Sequence, residues 1–255
     1  MSTARPNEVL ALIPARGGSK AIPRKNLLEI AGKPLLAYSI EQALECDLVT
    51  RTIVSTDDEE IADVARQFGA EVPFIRPSEF AGDLSPDFDV FLHALQWLRD
   101  QNQYLCEMVL HLRPTGPVRR PSLIKKAIQM MLDQPEADAL RSVSPAMQTP
   151  YKMWELEDGL LKQLLDVEEM AEPYCQPRQV LPQVYWQNGY IDIVRSRAIL
   201  EQGLMCGRRI IPLIVNDPVH ELDYVDDVPA LEEAVQKMQQ GEFPQQQDTK
   251  PRHSV

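Results

Sequence analysis

Short apolar runs and amphipathic stretches alternate along the first 143 residues of the chain. Val9-Leu10-Ala11-Leu12-Ile13 is brief, continuous and closed by Pro14, the pattern of a buried strand. Leu35, Leu36, Tyr38, Ser39, Ile40, Ala43 and Leu44 then recur at helical spacing, with Pro34 suited to a first helical turn. Arg51 to Asp57 is β-branched and predicts a second strand, whose polar end can cap a helix from Glu59 to Phe68. Val72 to Ile75 predicts a third short strand. Between Arg76 and Asp87 the chain is rich in Pro, Gly, Ser and Asp, which marks a functional loop, and Val90 to Leu98 is an amphipathic helix. A strand from Met108 to Leu112, a break at Arg113-Pro114-Thr115-Gly116-Pro117, a helix from Ser122 to Leu132 and a strand from Ala139 to Val143 complete the rhythm. Such alternation predicts an α/β fold with a mostly parallel sheet, helices on both faces and ligands at the carboxyl ends of the strands.

The rhythm breaks between Pro145 and Pro182. Two apolar stretches flank Glu157-Asp158-Gly159, a hairpin signal, and Pro173, Pro177 and Pro182 exclude a long helix after it. Residues 145–182 therefore read as an arm inserted into a single domain spanning 7–240. Tyr151, Met153, Trp154, Leu160, Leu161, Leu164 and Leu165 give the arm more apolar surface than an exposed hairpin can carry, so it must pack against its own domain or a second copy. Strands from Gly189 to Val194 and Arg209 to Val215 and a helix from Val228 to Met238 follow. Residues 241–255 are polar, include a Gln run and are expected to be disordered.

Charge changes the picture by its distribution. The net charge of −12 argues against wrapping nucleic acid or lying on an anionic membrane. Locally, however, Arg16, Lys20, Arg24 and Lys25 follow the first strand without an intervening acid, whereas Ile210 to Gln236 has seven acids and no Lys or Arg. That segregation suits a phosphate site facing a cation site. Gly17-Gly18 lets the backbone turn closely around a ligand, but the spacing matches neither the Walker P-loop nor the dinucleotide fingerprint. The competing explanation is a solvated basic loop, in which a lysine such as Lys25 holds no core. Cys46, Cys106, Cys175 and Cys206 form no C-x-x-C pair, and no apolar run is long enough to cross a membrane. With no signal-peptide pattern at Met1, the expectation is a soluble cytoplasmic protein.

The blocks Arg16-Gly17-Gly18-Ser19-Lys20-Ala21-Ile22-Pro23-Arg24-Lys25-Asn26, Ser55-Thr56-Asp57, Arg76-Pro77, Arg113-Pro114-Thr115-Gly116-Pro117-Val118-Arg119 and Gln176-Pro177-Arg178-Gln179-Val180-Leu181-Pro182 resemble the cytidylyltransferases that activate sialic acid and related nonulosonic acids. The likeness runs from about Val9 to Met238. It implies a Rossmann-like, GT-A-like nucleotidyltransferase with a dimerisation arm, which joins CTP to a sugar's anomeric hydroxyl and releases pyrophosphate with Mg²⁺. It further implies that Arg16, Ser19, Lys20 and Lys25 hold the triphosphate, with Asn26, Arg76, Ser85 and Asp87 near the cytidine. Pro86 and Asp87 depart from the small hydroxyl residues usual there.

Glu221 and Asp223 lie where the family has an Asp-x-Asp metal motif. Alternation puts both on one face of an extended segment, within reach of a hard cation, with Asp223 as direct ligand and Glu221 through water. The alternative for this acidic stretch is helix capping, which Asp226 and Asp227 are placed to do. Arg113 stands where sialic acid enzymes commonly have Gln, and Arg113 with Arg178 is suited to clamp a carboxylate, unless either forms a structural salt bridge. Trp186-Gln187-Asn188-Gly189 resembles the stretch lining the sugar pocket, with Trp186 equally readable as a core aromatic. Met170 replaces a second substrate Arg, which implies a sugar other than ordinary sialic acid. His93, His111, His220 and His253 lack metal-ligand spacing, and His93 and His111 are expected to be buried. No nucleophile elbow is present. The expectation is a Mg²⁺-dependent, homodimeric CMP-sugar synthetase. Its rivals are an enzyme for another ulosonic acid or nucleotide and a catalytically silent nucleotide-binding scaffold.

Overall fold

The computed structural model describes residues 5–242. The expectation of disorder in 241–255 therefore lies outside the described residues from 243 onward. Ten strands and six helices follow one another as β1 (Arg5–Pro14), β2 (Glu29–Ile30), β3 (Lys33–Pro34), α1 (Leu35–Leu44), β4 (Arg51–Ser55), α2 (Glu59–Gln67), α3 (Asp87–Asn102), β5 (Cys106–His111), α4 (Pro121–Asp133), β6 (Ala139–Pro145), β7 (Trp154–Glu157), β8 (Leu160–Gln163), β9 (Tyr185–Arg195), α5 (Ser196–Leu200), β10 (Ile210–Ile214) and α6 (Val228–Gln239). The six-stranded main sheet has the order β10-β6-β9-β5-β1-β4.

Strand alternation divides the core between the two faces of this sheet. From β1, Val9, Ala11 and Ile13 pack with α1, α2 and α4, while Leu10 and Leu12 pack with α3 and α5. A third cluster joins Ile22, Ile30, Leu35 and Tyr38 to Leu222 and to Leu231 and Val235 of α6, which brings the acidic stretch beside the basic loop.

β9 alone runs antiparallel to its neighbours β5 and β6; the other pairs in this sheet are parallel. The cause lies in the connection. A parallel return needs a crossover, usually a helix, on a sheet face, but residues 146–184 contain only a hairpin and short turns, so the chain leaves β6 and re-enters β9 at one edge.

Two further expectations need correction. Val72 to Ile75 is not a strand: β4 meets this segment only at the Ile53–Glu71 bridge, because Pro73 has no N–H to donate to a ladder. The helix expected from Val90 begins instead at Asp87, with Asp87 and Asp89 in its first turn, where acids complement the helix dipole. The β7–β8 hairpin forms as expected on Asp158 and Gly159, both at positive φ. It does not fold onto its own domain to bury its apolar residues: Leu156 is 77% exposed, and Leu160 and Leu161 are also exposed.

Candidate active site

At the carboxyl ends of β1 and β5 the topology reverses, since β1 leads outward to β4 and the chain then crosses back to β5. A cleft of about 590 Å³ opens there. It is lined by Arg16, Ser19, Lys20, Lys25, Asn26, Arg76, Ser85, Asp87, Arg113 and Asp223, ten of the residues singled out from sequence.

The basic loop is built by close approach. A Cβ on Gly17 would stand 2.8 Å from Asp58 Oδ2, so only glycine fits, and the Gly17 N–H donates to Asp57 Oδ1 at 2.9 Å. Gly18 meets nothing within 4 Å. Asn26 is buried and its amide donates to the Arg16 carbonyl at 2.9 Å, closing the loop on itself. Arg24 does not line the cleft: it pairs with Asp58 and Glu60 at the start of α2, so this one cation serves the fold rather than a phosphate. Arg16 and Lys20 converge on Asp83, at 3.1 and 2.5 Å.

Lys25 reaches across to the acidic stretch. Its Nζ donates to the Leu222 carbonyl at 2.8 Å and lies 3.9 Å from Asp223 Oδ1, and its side chain is only 15% exposed. It is therefore a tether as well as a charge, joining two loops where the expectation was only that it holds no core. Arg76 is buried, and its Nε and Nη2 have no hydrogen-bond partner among the described residues, although Nη2 comes within 3.8 Å of Asp57. A buried, under-satisfied guanidinium on a cleft wall is a donor ready for an acceptor that enters.

Arg113 forms the structural salt bridge that was the alternative to a carboxylate clamp: it holds Asp192 at 2.8 Å and, more loosely, Asp87 at 3.4 Å. Burial pulls its pKa down, but Asp192, Asp87 and Glu221 outweigh this and leave it raised. Glu221 is exposed and does not line the cleft; its Oε1 would stand 3.1 Å from a Cβ on Gly189, on the Arg113 side of the acidic stretch. Removal from water and then the neighbouring Asp223 charge push the Glu221 pKa up. Two hard carboxylates that repel each other suit a divalent cation, and Mg²⁺ sites commonly combine one or two carboxylates with substrate phosphates and water. No group of three metal-binding side chains exists among the described residues, so such an ion would need those other ligands. Asp227 caps the short turn at Val225–Asp227, accepting from the N–H groups of Asp223 and Tyr224, but its side chain gives α6 no cap, contrary to the capping expected there.

The remaining predicted residues are not brought to the cleft within one chain. Arg178 donates to the Ala146 carbonyl at 2.6 Å, inside the arm. Gln187 is exposed on β9 opposite Val143. Asn188 is buried, with its amide donating to Ser144 Oγ at 2.8 Å and accepting from the Tyr190 N–H, so its polar atoms are spent on the sheet. Trp186 is 70% exposed and is not a core aromatic.

Sequence reasoning missed Asp57, Asp83, Asp192 and Arg119. Arg119 is buried and forms no salt bridge with a carboxylate among the described residues. Its guanidinium donates to the carbonyls of Tyr190 and Arg113, to Ser39 Oγ and to Gln42 Oε1, and burial lowers its pKa to about 10. It fixes the backbone from which Arg113 projects. The Arg-Pro-Thr-Gly-Pro-Val-Arg spacing was the available signal.

A glycine-bearing cationic loop after the first strand, facing an acidic loop across a switch-point cleft, is the architecture of a nucleotidyltransferase. A family model described as cytidylyltransferase matches residues 10–191, and the chain belongs to that family. The CMP-N,N'-diacetyllegionaminic acid synthase of Legionella pneumophila subsp. pneumophila is 33% identical over 217 residues, covering 84% of this chain and 90% of that protein. The pseudaminic acid cytidylyltransferase of Campylobacter jejuni subsp. jejuni is 41% identical over 123 residues, 48% of this chain and 53% of that one. A solved CMP:2-keto-3-deoxy-manno-octonic acid synthetase complexed with CTP matches with a TM-score of 0.63 over 92% of this chain and 99% of that chain. At 18% identity this is a likeness of fold.

Proposed function

We propose that this protein transfers CMP from CTP to the anomeric hydroxyl of an acidic nine-carbon nonulosonic sugar of the legionaminic, pseudaminic or sialic type. The sugar oxygen bonds to the α-phosphorus, the bond from that phosphorus to the bridging oxygen breaks, and pyrophosphate leaves with the β- and γ-phosphates. The hydroxyl proton is released to solvent. The observation that carries this reading is the single cleft uniting Arg16, Ser19, Lys20 and Lys25 with Asp223 and Arg113. Phosphoryl-type transfer needs positioning and charge neutralisation more than a protein nucleophile, and the loop cations supply both. Arg113 keeps its Asp192 pair and meets the sugar carboxylate in this reading by exchanging the looser Asp87 contact for it, and the names of the relatives favour this sugar class. In this reading Asp223 and Glu221 hold Mg²⁺, which neutralises phosphate charge when bound.

The test is release of pyrophosphate from CTP with a panel of acidic sugars. Turnover with a nonulosonic acid is the expected result. Turnover only with an eight-carbon ulosonic acid or another nucleotide, or none with any pair, would overturn it in favour of a different transferase or a silent scaffold.

The same proposal makes the protein a homodimer through residues 145–182. The support is the apolar surface that the arm leaves uncovered, including Leu156, Leu160 and Leu161. Sedimentation at micromolar concentration should give twice the chain mass of 29.0 kDa, and a single monomeric species would exclude the dimer. Arg178, remote from the cleft of its own chain, would then serve the partner's sugar site. Mixing Lys25→Ala with Arg178→Ala protein should restore activity above either parent, and no recovery after confirmed subunit exchange would return Arg178 to its own subunit.

A further inference from the structure

His111 ends β5 with 1% of its side chain exposed, yet it borders both the main cleft and a small cavity lined by Arg141, Asp192 and Cys206. Among the described residues neither ring nitrogen has a hydrogen-bond partner, and Asp192 Oδ1 has none either. Most buried polar atoms in folded proteins are paired, so two orphaned nitrogens on one ring point to partners that arrive from outside the chain. The small cavity, about 10 Å³, has room for a single water, which can serve one nitrogen together with Asp192. The other nitrogen, Nδ1, lies 3.9 Å from Asp87 Oδ2, too far for a hydrogen bond, and Asp87 lines the cleft.

We infer that His111 is a specificity-determining residue that reads, together with Asp87, an uncharged hydrogen-bonding group of the sugar, a hydroxyl or an acylamino N–H. This rests on the proposed transfer to an acidic sugar. Asp87 accepts only, so the group beside it must donate a hydrogen, and an anionic group there would be repelled. Burial first, and then Arg113, Arg119 and Arg141, push the His111 pKa well below its ordinary value, which leaves the ring neutral with one N–H and one lone pair. Such a ring complements an uncharged group, and the sugar's carboxylate is left to Arg113. The assignment to sugar rather than to the triphosphate follows from position, and it moves Asp87 from the cytidine, where the resemblance put it, to the sugar beside Arg113. His111 pairs with Asp192 of β9 and neighbours Arg113, whereas the triphosphate loop follows β1.

The experiment compares His111→Leu and His111→Asn with wild type in steady-state pyrophosphate release, varying CTP and the best sugar of the panel separately. His111→Leu removes a buried ring with no hydrogen bond to the described residues and at most one to a water, so ligand-free protein should melt within a few degrees of wild type. Its KM for the sugar should rise about tenfold, the loss of one or two neutral hydrogen bonds, while KM for CTP stays within about twofold. His111→Asn puts a polar atom near the position of Nδ1 and should recover most of the sugar affinity. An unchanged sugar KM in His111→Leu, a rise in the CTP KM instead, or no rescue by Asn overturns the inference while the proposed function stands. Wild type inert toward every sugar overturns both.

Discussion

Lys25→Ala is expected to lower turnover by about two orders of magnitude or more, the scale seen when one preorganised charge or donor at a developing anion is removed. The structure adds a second, smaller effect. Because Lys25 Nζ donates to the Leu222 carbonyl, the substitution also loosens the join between the basic loop and the acidic stretch. One lost hydrogen bond amounts to about 1 kcal/mol, which for a chain of this size lowers Tm by about 2–4 °C. Steady-state kinetics and thermal melts on the same preparation separate the two effects. Near-normal turnover would remove Lys25 from the chemistry, and a melting loss far above this range would mark it as chiefly structural.

Asp223→Asn is expected to reduce activity by a similar factor. Its side chain is 62% exposed, so little folding energy depends on it, but the substitution removes the charge that would hold Mg²⁺ beside the phosphates. A few-fold increase in Mg²⁺ should not restore the rate. Asp226→Asn, on an exposed neighbour, should keep activity within about threefold, because a change at an exposed side chain outside the site has small effects. Equal losses in the two variants would show that the alternation of this segment does not select the metal-facing carboxylates.

The parts of this fold legible in the sequence were those set by local pattern. The strand at Val9–Ile13, the helices beginning near Leu35, Glu59 and Pro121, and the Asp158-Gly159 turn all follow from side-chain periodicity or φ preference, which act within a few residues. The direction of β9 was not legible, because it depends on how the whole of 146–184 connects rather than on the strand's own residues. The candidate site divides the same way. Its cations announced themselves by clustering, but Asp57, Asp83 and Asp192 did not, since each meets its partner only after the chain returns from 40 or more residues away. His111 was read as a buried histidine, and it is one. Only the absence of partners for its ring, a property of the packed structure, separates it from an ordinary core residue.

The entry and exit of the arm at one edge of the sheet also bears on how this protein can change over generations. A crossover must span a sheet face, so its length is constrained by the distance it covers. The segment from Ala146 to Val184 starts and ends beside itself, with Pro145 opposite Tyr185. For a loop with adjacent ends, doubling the length costs only about 0.6 kcal/mol of closure entropy. Outside the proposed interface and Arg178, insertions and deletions can therefore accumulate in this segment while the register of β6 with β9 stays as it is.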